Sequence, residues 1–175
     1  MAQLGYLLET EVYNLGFGGS AWGDASVAEY IAHLDMWEVL VLVIGTNTYG
    51  RAHESATVYE RTYARFLDIV RGGHPSKPIL CVTPIYRRQD GPPPQRNAAG
   101  STPEEYREAI ASAVRGRIEE GDENVYLLDG QRLIGDRKGL SLDLVHPDDH
   151  GMAKMAHGIA EALVREVGDL WNVKR

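Results

Sequence analysis

Three short runs constrain this chain more than any other feature: EVLVLVIG at 38–45, KPILCVTPI at 77–85 and NVYLLD at 124–129. Each is rich in Val, Ile and Leu and almost continuously apolar, so neither face of such a strand tolerates water. A strand buried on both faces needs a helix on each side, and the intervening segments supply helices. From 54 to 71, Tyr59, Tyr63, Phe66, Leu67 and Val70 recur at helical spacing before Gly72 and Gly73 stop the run. From Thr102, a capping residue is followed by Pro103 and Glu105, a helix start, with Tyr106, Ile110, Ala113, Val114 and Ile118 as its stripe. Residues 149–167 close the chain with Met152, Ala156, Ile159, Leu163 and Val167 on one face. A short apolar helical piece at 2–8, a strand at 11–15 and a helix at 25–33 complete the expected elements. Strands alternating with helices imply a parallel sheet with helices on both faces, in three α/β/α layers. Ligands then bind beyond the carboxyl ends of the strands.

One domain over residues 1–175 is expected, because 175 residues bury one core comfortably but not two. The net charge of −7 argues against nucleic acid or an anionic membrane as the main partner. No apolar run is long enough to span a bilayer, and the first six residues do not resemble a signal peptide, so a cytoplasmic protein is the default expectation. The single cysteine, Cys81, lies inside an apolar run and reads as a small core residue. The proline-rich loop RRQDGPPPQRNAAGS at 87–101 is long enough to form a rim over a site.

The strand ends hold the candidate chemistry. NLGFGGSAWGD at 14–24 satisfies G-x-G-x-x-A through Gly16, Gly18 and Ala21, a weak dinucleotide signal by itself. That motif needs a carboxylate at the end of the next strand, where Gly45-Thr46-Asn47 stands instead. An alternative use pairs the Asn47 amide with a backbone N–H of the glycine loop, two neutral donors converging on a developing oxyanion. Asn47 is equally open to a reading in which it only stabilises its own turn. Asp143-Leu144-Val145-His146-Pro147 adds an Asp three residues before a His, a spacing that lets the carboxylate orient the imidazole for proton transfer. The bland readings there are a helix-capping Asp with a surface His, or a metal cluster with Asp148, Asp149 and His150. Metal binding lacks a second ligand group elsewhere, and no metal or cofactor is expected. The other histidines read as surface or capping groups.

These blocks together resemble the SGNH hydrolases, also called the GDSL esterase/lipase family: NLGFGGS its glycine block, GTNT its asparagine block and DLVHPDDHG its closing Asp-x-x-His-Pro block, in family order. The resemblance implies a flavodoxin-like fold and ester hydrolysis or acyl transfer through an acyl-enzyme. It implies Gly19 and Asn47 as the oxyanion hole, His146 as general base and Asp143 as its orienter. Thr48 stands where the family usually has Asp. Trp22 is a candidate wall of the acyl or alcohol pocket, with core packing the competing role. The substrate implied is a small-molecule or carbohydrate ester.

The family's nucleophile block, Gly-Asp-Ser, occurs nowhere in the chain. Ser20 is a weak substitute and Ser141 a weaker one, since serines at such places usually cap or turn. The expectation is therefore an N-terminally truncated sequence lacking the first, central strand and its serine, on which a signal peptide could also have stood. A catalytically inactive relative or binding module is the alternative. A sheet without its central strand would expose apolar edges, so a homodimer or strand-swapped assembly is the expected way for this chain to cover them.

Overall fold

A computed structural model of the protein describes residues 2–168. Met1 and residues 169–175, the ends of the expected domain, lie outside the described residues. The elements run α1 (Ala2–Leu8), α2 (Ala25–Ala32), β1 (Leu40–Leu42), α3 (Thr46–Arg51), α4 (Ala56–Gly73), β2 (Ile79–Val82), α5 (Pro103–Glu119), β3 (Val125–Leu128), α6 (Gly130–Leu133) and α7 (Asp149–Val167), with a 3-10 turn at Arg88–Asp90. The three strands form one parallel sheet in the order β1-β2-β3. Leu40 pairs with Ile79, and Ile79 with Val125.

The period of two in each strand divides the core. Ile79, Cys81, Val125 and Leu42 face one layer, with α2, α4 and α5 packed over them through Ile31, Tyr59, Tyr63, Phe66 and Ile110. Leu80, Val82 and Leu128 face the other, under Leu4 and Leu8 of α1 and Ile159 and Leu163 of α7. This is the flavodoxin-like α/β/α arrangement, and it explains why the strands read as unbroken apolar runs. Burial pushes the Cys81 thiol up to about 12, which leaves it an inert core group. No described helix is long and apolar enough to cross a membrane.

Sequence and structure agree at the start of α5. Thr102 accepts the Glu105 N–H at 3.3 Å, while the Glu105 carboxylate accepts the Thr102 N–H at 2.8 Å. These two bonds close the expected capping box. Ile118 and Met152 are half exposed rather than buried, because each falls in a terminal turn of its helix. His74, read as a surface or capping group, is the C-cap of α4, its N–H donating to the Val70 carbonyl, but it is not at the surface. It is buried, its Nε2 lies 3.2 Å from the Ile31 carbonyl, and its ring meets Trp37 edge-on.

Residues 11–15 do not form the expected strand. Leu15 packs against the core, but the segment has no backbone ladder partner among the described residues. A strand is stable only through its neighbours, and here the outer edge of β1 carries no pairing strand among the described residues. Val43, just past β1, is 45% exposed at that open edge.

Candidate active site

β1 ends at a glycine with no alternative. Gly45 takes φ +113°, and a Cβ there would meet Ile110 Cδ1 at 3.0 Å, Pro84 Cγ at 3.2 Å and Tyr59 Cε1 at 3.3 Å. The chain can therefore turn at once into α3, whose first turn carries Asn47. The sequence reading placed Asn47 on an irregular turn; it stands instead in a short helix. Its half-buried side chain makes no hydrogen bond among the described residues, so the amide does not stabilise its own turn and is free to donate. Arg51, one helical turn on and on the same face, lies against the glycine loop: a Cβ on Gly19 would sit 3.8 Å from its Nη2. Gly19 itself has φ +76°, and its backbone N–H has no partner among the described residues. The structure thus places the end of the Arg51 side chain against the glycine loop.

The second part of the site is a small closed loop after β3. Leu140 and Pro147 form an isolated bridge, and the Ser141 N–H donates to the His146 carbonyl at 2.8 Å. Inside it the Asp143 carboxylate is held from several directions. Oδ1 accepts the Ser141 hydroxyl at 2.8 Å, the Val145 N–H at 2.9 Å and the His146 N–H at 3.0 Å, while Oδ2 faces His146 Nδ1 at 2.6 Å. These bonds, that of His146 foremost, hold the Asp143 carboxyl far below the usual carboxylate range. The His146 side chain is 76% exposed, leaving Nε2 open to solvent. The loop seats on the start of α7 because Gly151 has no side chain; a Cβ there would fall 1.9 Å from the Gly139 carbonyl oxygen. Asp148 caps that helix, accepting the Gly151 N–H at 2.7 Å.

The depressed carboxyl has a consequence for stability. A carboxylate whose folded value lies below its unfolded one, about 3.9 for Asp, stabilises the fold fully above that unfolded value and loses its contribution as pH falls toward the folded value. Asp143→Asn is therefore expected to narrow the gap between neutral and acid stability, measured by urea unfolding at pH 7 and pH 3. An unchanged gap would mean that the network does not persist in solution.

The remaining sequence candidates are placed less centrally. Trp22 is half buried and stacks on His53 with ring centres 4.6 Å apart, rather than joining the core; its Nε1–H is enclosed without a partner. Ser20 is exposed in the turn of the glycine loop, its N–H donating to the Phe17 carbonyl at 3.3 Å. Ser141 spends its hydroxyl proton on Asp143. The 87–101 loop packs down on α3: Gln95 accepts the Tyr49 hydroxyl at 3.0 Å, and the Asn97 amide donates to the Tyr49 carbonyl at 3.0 Å. Sequence reasoning missed Arg87. Its guanidinium is buried beneath the asparagine turn, donating to the Thr46 carbonyl at 3.1 Å. The only signal for it was an arginine directly after a buried strand.

Comparison with known proteins adds the following. The model of the GDSL-like lipase/acylhydrolase family matches residues 1–164. Among solved structures, a salicylyl-acyltransferase from a tetracycline biosynthetic pathway matches with a TM-score of 0.76 at 22% identity, covering 97% of this chain and 48% of that one. A carbohydrate acetylesterase from Sinorhizobium meliloti matches at 0.67 and 13% identity, covering 94% and 82%. A carbohydrate esterase of family 3 from Talaromyces cellulolyticus matches at 0.60 and 18%, covering 81% and 68%. The chain spans about half the length of the acyltransferase, and 47% of a GDSL-like lipase candidate from Bacteroides ovatus. No curated protein matches the sequence.

Proposed function

The chain belongs to the GDSL-like lipase/acylhydrolase family, and on that premise we propose that the protein is a serine-dependent ester hydrolase or acyltransferase. The observation that carries the proposal is the Asp143–His146 contact of 2.6 Å, with the carboxylate fixed by three further donors and Nε2 left open. Such a pair is suited to proton transfer. Asp143 holds the Nδ1–H tautomer, so that Nε2 can take a proton, and the carboxylate then stabilises the imidazolium.

In this reading a serine hydroxyl presented to His146 Nε2 attacks the ester carbonyl. Its oxygen bonds to the carbonyl carbon, its proton passes to His146 Nε2, and the carbonyl electrons move to the oxygen. The unpaired Asn47 amide and Gly19 N–H receive that oxyanion. When the tetrahedral carbon collapses, the alkoxide leaves with the proton from His146, and the acyl-enzyme remains. Water or an acceptor alcohol, deprotonated by His146, then attacks the acyl carbon; the bond to the serine oxygen breaks and that oxygen takes the proton back from His146. Trp22 and the 87–101 loop would border the groups carried by the ester. The named activities of the similar structures favour small-molecule or carbohydrate esters. A pairing strand from a second copy at the open edge of β1 completes the proposed assembly.

The protein expressed from its complete reading frame is expected to hydrolyse p-nitrophenyl acetate and to take a covalent label from a serine-directed fluorophosphonate. A folded protein that does neither would overturn the enzymatic reading and leave a binding module on the same scaffold.

A further inference from the structure

We propose that Arg87 is a positioning residue for this site: it ties the asparagine turn to the loop carrying Asp143 and His146, and so holds the two parts of the site in register. The inference rests on the hydrolase reading above for its catalytic consequence, but not for its geometry.

Arg87 follows β2, the strand lying between the two that deliver the site. Its guanidinium reaches toward β1, where Nη1–H donates to the Thr46 carbonyl, the residue before Asn47, and the guanidinium carbon lies 4.3 Å over the Tyr49 ring. The next residue reaches the other way. The Arg88 N–H donates to the Leu144 carbonyl at 2.8 Å, inside the Asp143–His146 loop. Leu144 is a non-glycine residue at φ +56°, a conformation that persists only where its surroundings impose it. The Arg88 bond and the Leu144 N–H bond to Ser141 impose it. One dipeptide therefore grips the residue next to Asn47 and the residue next to Asp143.

The dipeptide is itself anchored. The Arg87 N–H donates to Asp90 Oδ2 at 2.9 Å, and Asp90 pairs with Arg107 of α5, both side chains being 7% exposed. The Tyr86 N–H donates to the Ile134 carbonyl at 2.8 Å, which fixes the segment to the end of α6.

A structural filler would not need to be an arginine. Arg87 is 6% exposed, and its side chain bonds only neutral acceptors, the Thr46 carbonyl and Gln89 Oε1 at 3.1 Å each. It forms no salt bridge among the described residues, and burial lowers its affinity for the proton. Burying a cation with no carboxylate hydrogen-bonded to it is unfavourable, and the charge of nearby Asp90 offsets that only in part. What this arrangement supplies in return is a planar, multi-donor group that sets the height of the asparagine turn.

The test uses Arg87→Lys and Arg87→Met in the protein expressed from its complete reading frame, with Arg65→Met on α4 as a control. Two readouts are taken. In NMR spectra, the Asn47 side-chain amide and the backbone amides of Leu144 and His146 are expected to shift in both Arg87 variants and not in the control. On p-nitrophenyl acetate, kcat of Arg87→Met is expected to fall about 100-fold, the scale of a 1 Å misplacement. KM should change little, and Arg87→Lys should recover part of the loss. In an Asn47→Ala background the loss from Arg87→Met should shrink, whereas independent sites would add within about twofold. Folded variants with unmoved Asn47 and Leu144 signals, or additive losses, overturn the proposal. If Arg87→Met does not fold, Arg87→Lys carries both readouts. If the wild-type protein turns over no ester, the hydrolase reading fails, and the NMR shifts still decide whether Arg87 couples the two parts.

Discussion

Replacing His146 with alanine is expected to lower kcat/KM toward p-nitrophenyl acetate by about 10⁴-fold, the upper range for loss of a positioned general base. In the proposed mechanism the imidazole takes the nucleophile's proton: Asp143 binds Nδ1 at 2.6 Å and leaves Nε2 facing solvent. Removing it also idles Asp143, so the double variant His146→Ala/Asp143→Asn should be no slower than His146→Ala alone. Groups that act as one unit are non-additive in this way. The fold should survive, because the side chain is exposed, with a modest loss of stability from the lost Asp143 bond; a cooperative circular dichroism melt verifies that. Retention of a tenth or more of wild-type kcat/KM would remove His146 from the mechanism.

Asn47→Ala is expected to cost about 10²–10³-fold in kcat, the range found for deleting one oxyanion donor. The reason for a kinetic rather than a structural effect is specific. The Asn47 amide makes no hydrogen bond among the described residues, so the substitution breaks nothing in the resting protein. Asn47→Asp is the sharper variant, since a carboxylate of similar shape would repel the oxyanion instead of donating to it. It should be at least as slow as Asn47→Ala at neutral pH. Equal kcat for the wild type and Asn47→Ala, measured under saturating ester, would return Asn47 to a minor structural role.

The three apolar runs were legible because burial on both faces leaves no polar position in the pattern, and all three became strands of one parallel sheet. The helix starts were legible because capping is local: Thr102, Pro103 and Glu105 act within one turn. Residues 11–15 misled for the opposite reason. Their β-like composition needed a neighbouring strand, and pairing is a property of the sheet rather than of five residues. α3 went unseen because its six residues, TNTYGR, carry no apolar period. His74 was hidden likewise, since nothing local announces that Ile31 and Trp37 will enclose it.

For the site the division falls at the length of the contact. Asp143 and His146 lie three residues apart, so the sequence by itself determined their pairing, through a turn that few residues define. It likewise determined that Gly45 and Asn47 follow the end of β1, where a parallel sheet exposes its ligands, whereas the glycine loop at 16–19 follows no strand among the described residues. Only the tertiary structure decided that Thr46, Arg87 and Leu144 meet through one dipeptide, across 41 residues on one side. Hydrophobic periodicity specifies which face of a strand is buried. It does not specify which strand lies beside it, and strand order is what carries Arg87 to the asparagine turn and Arg88 to the histidine loop.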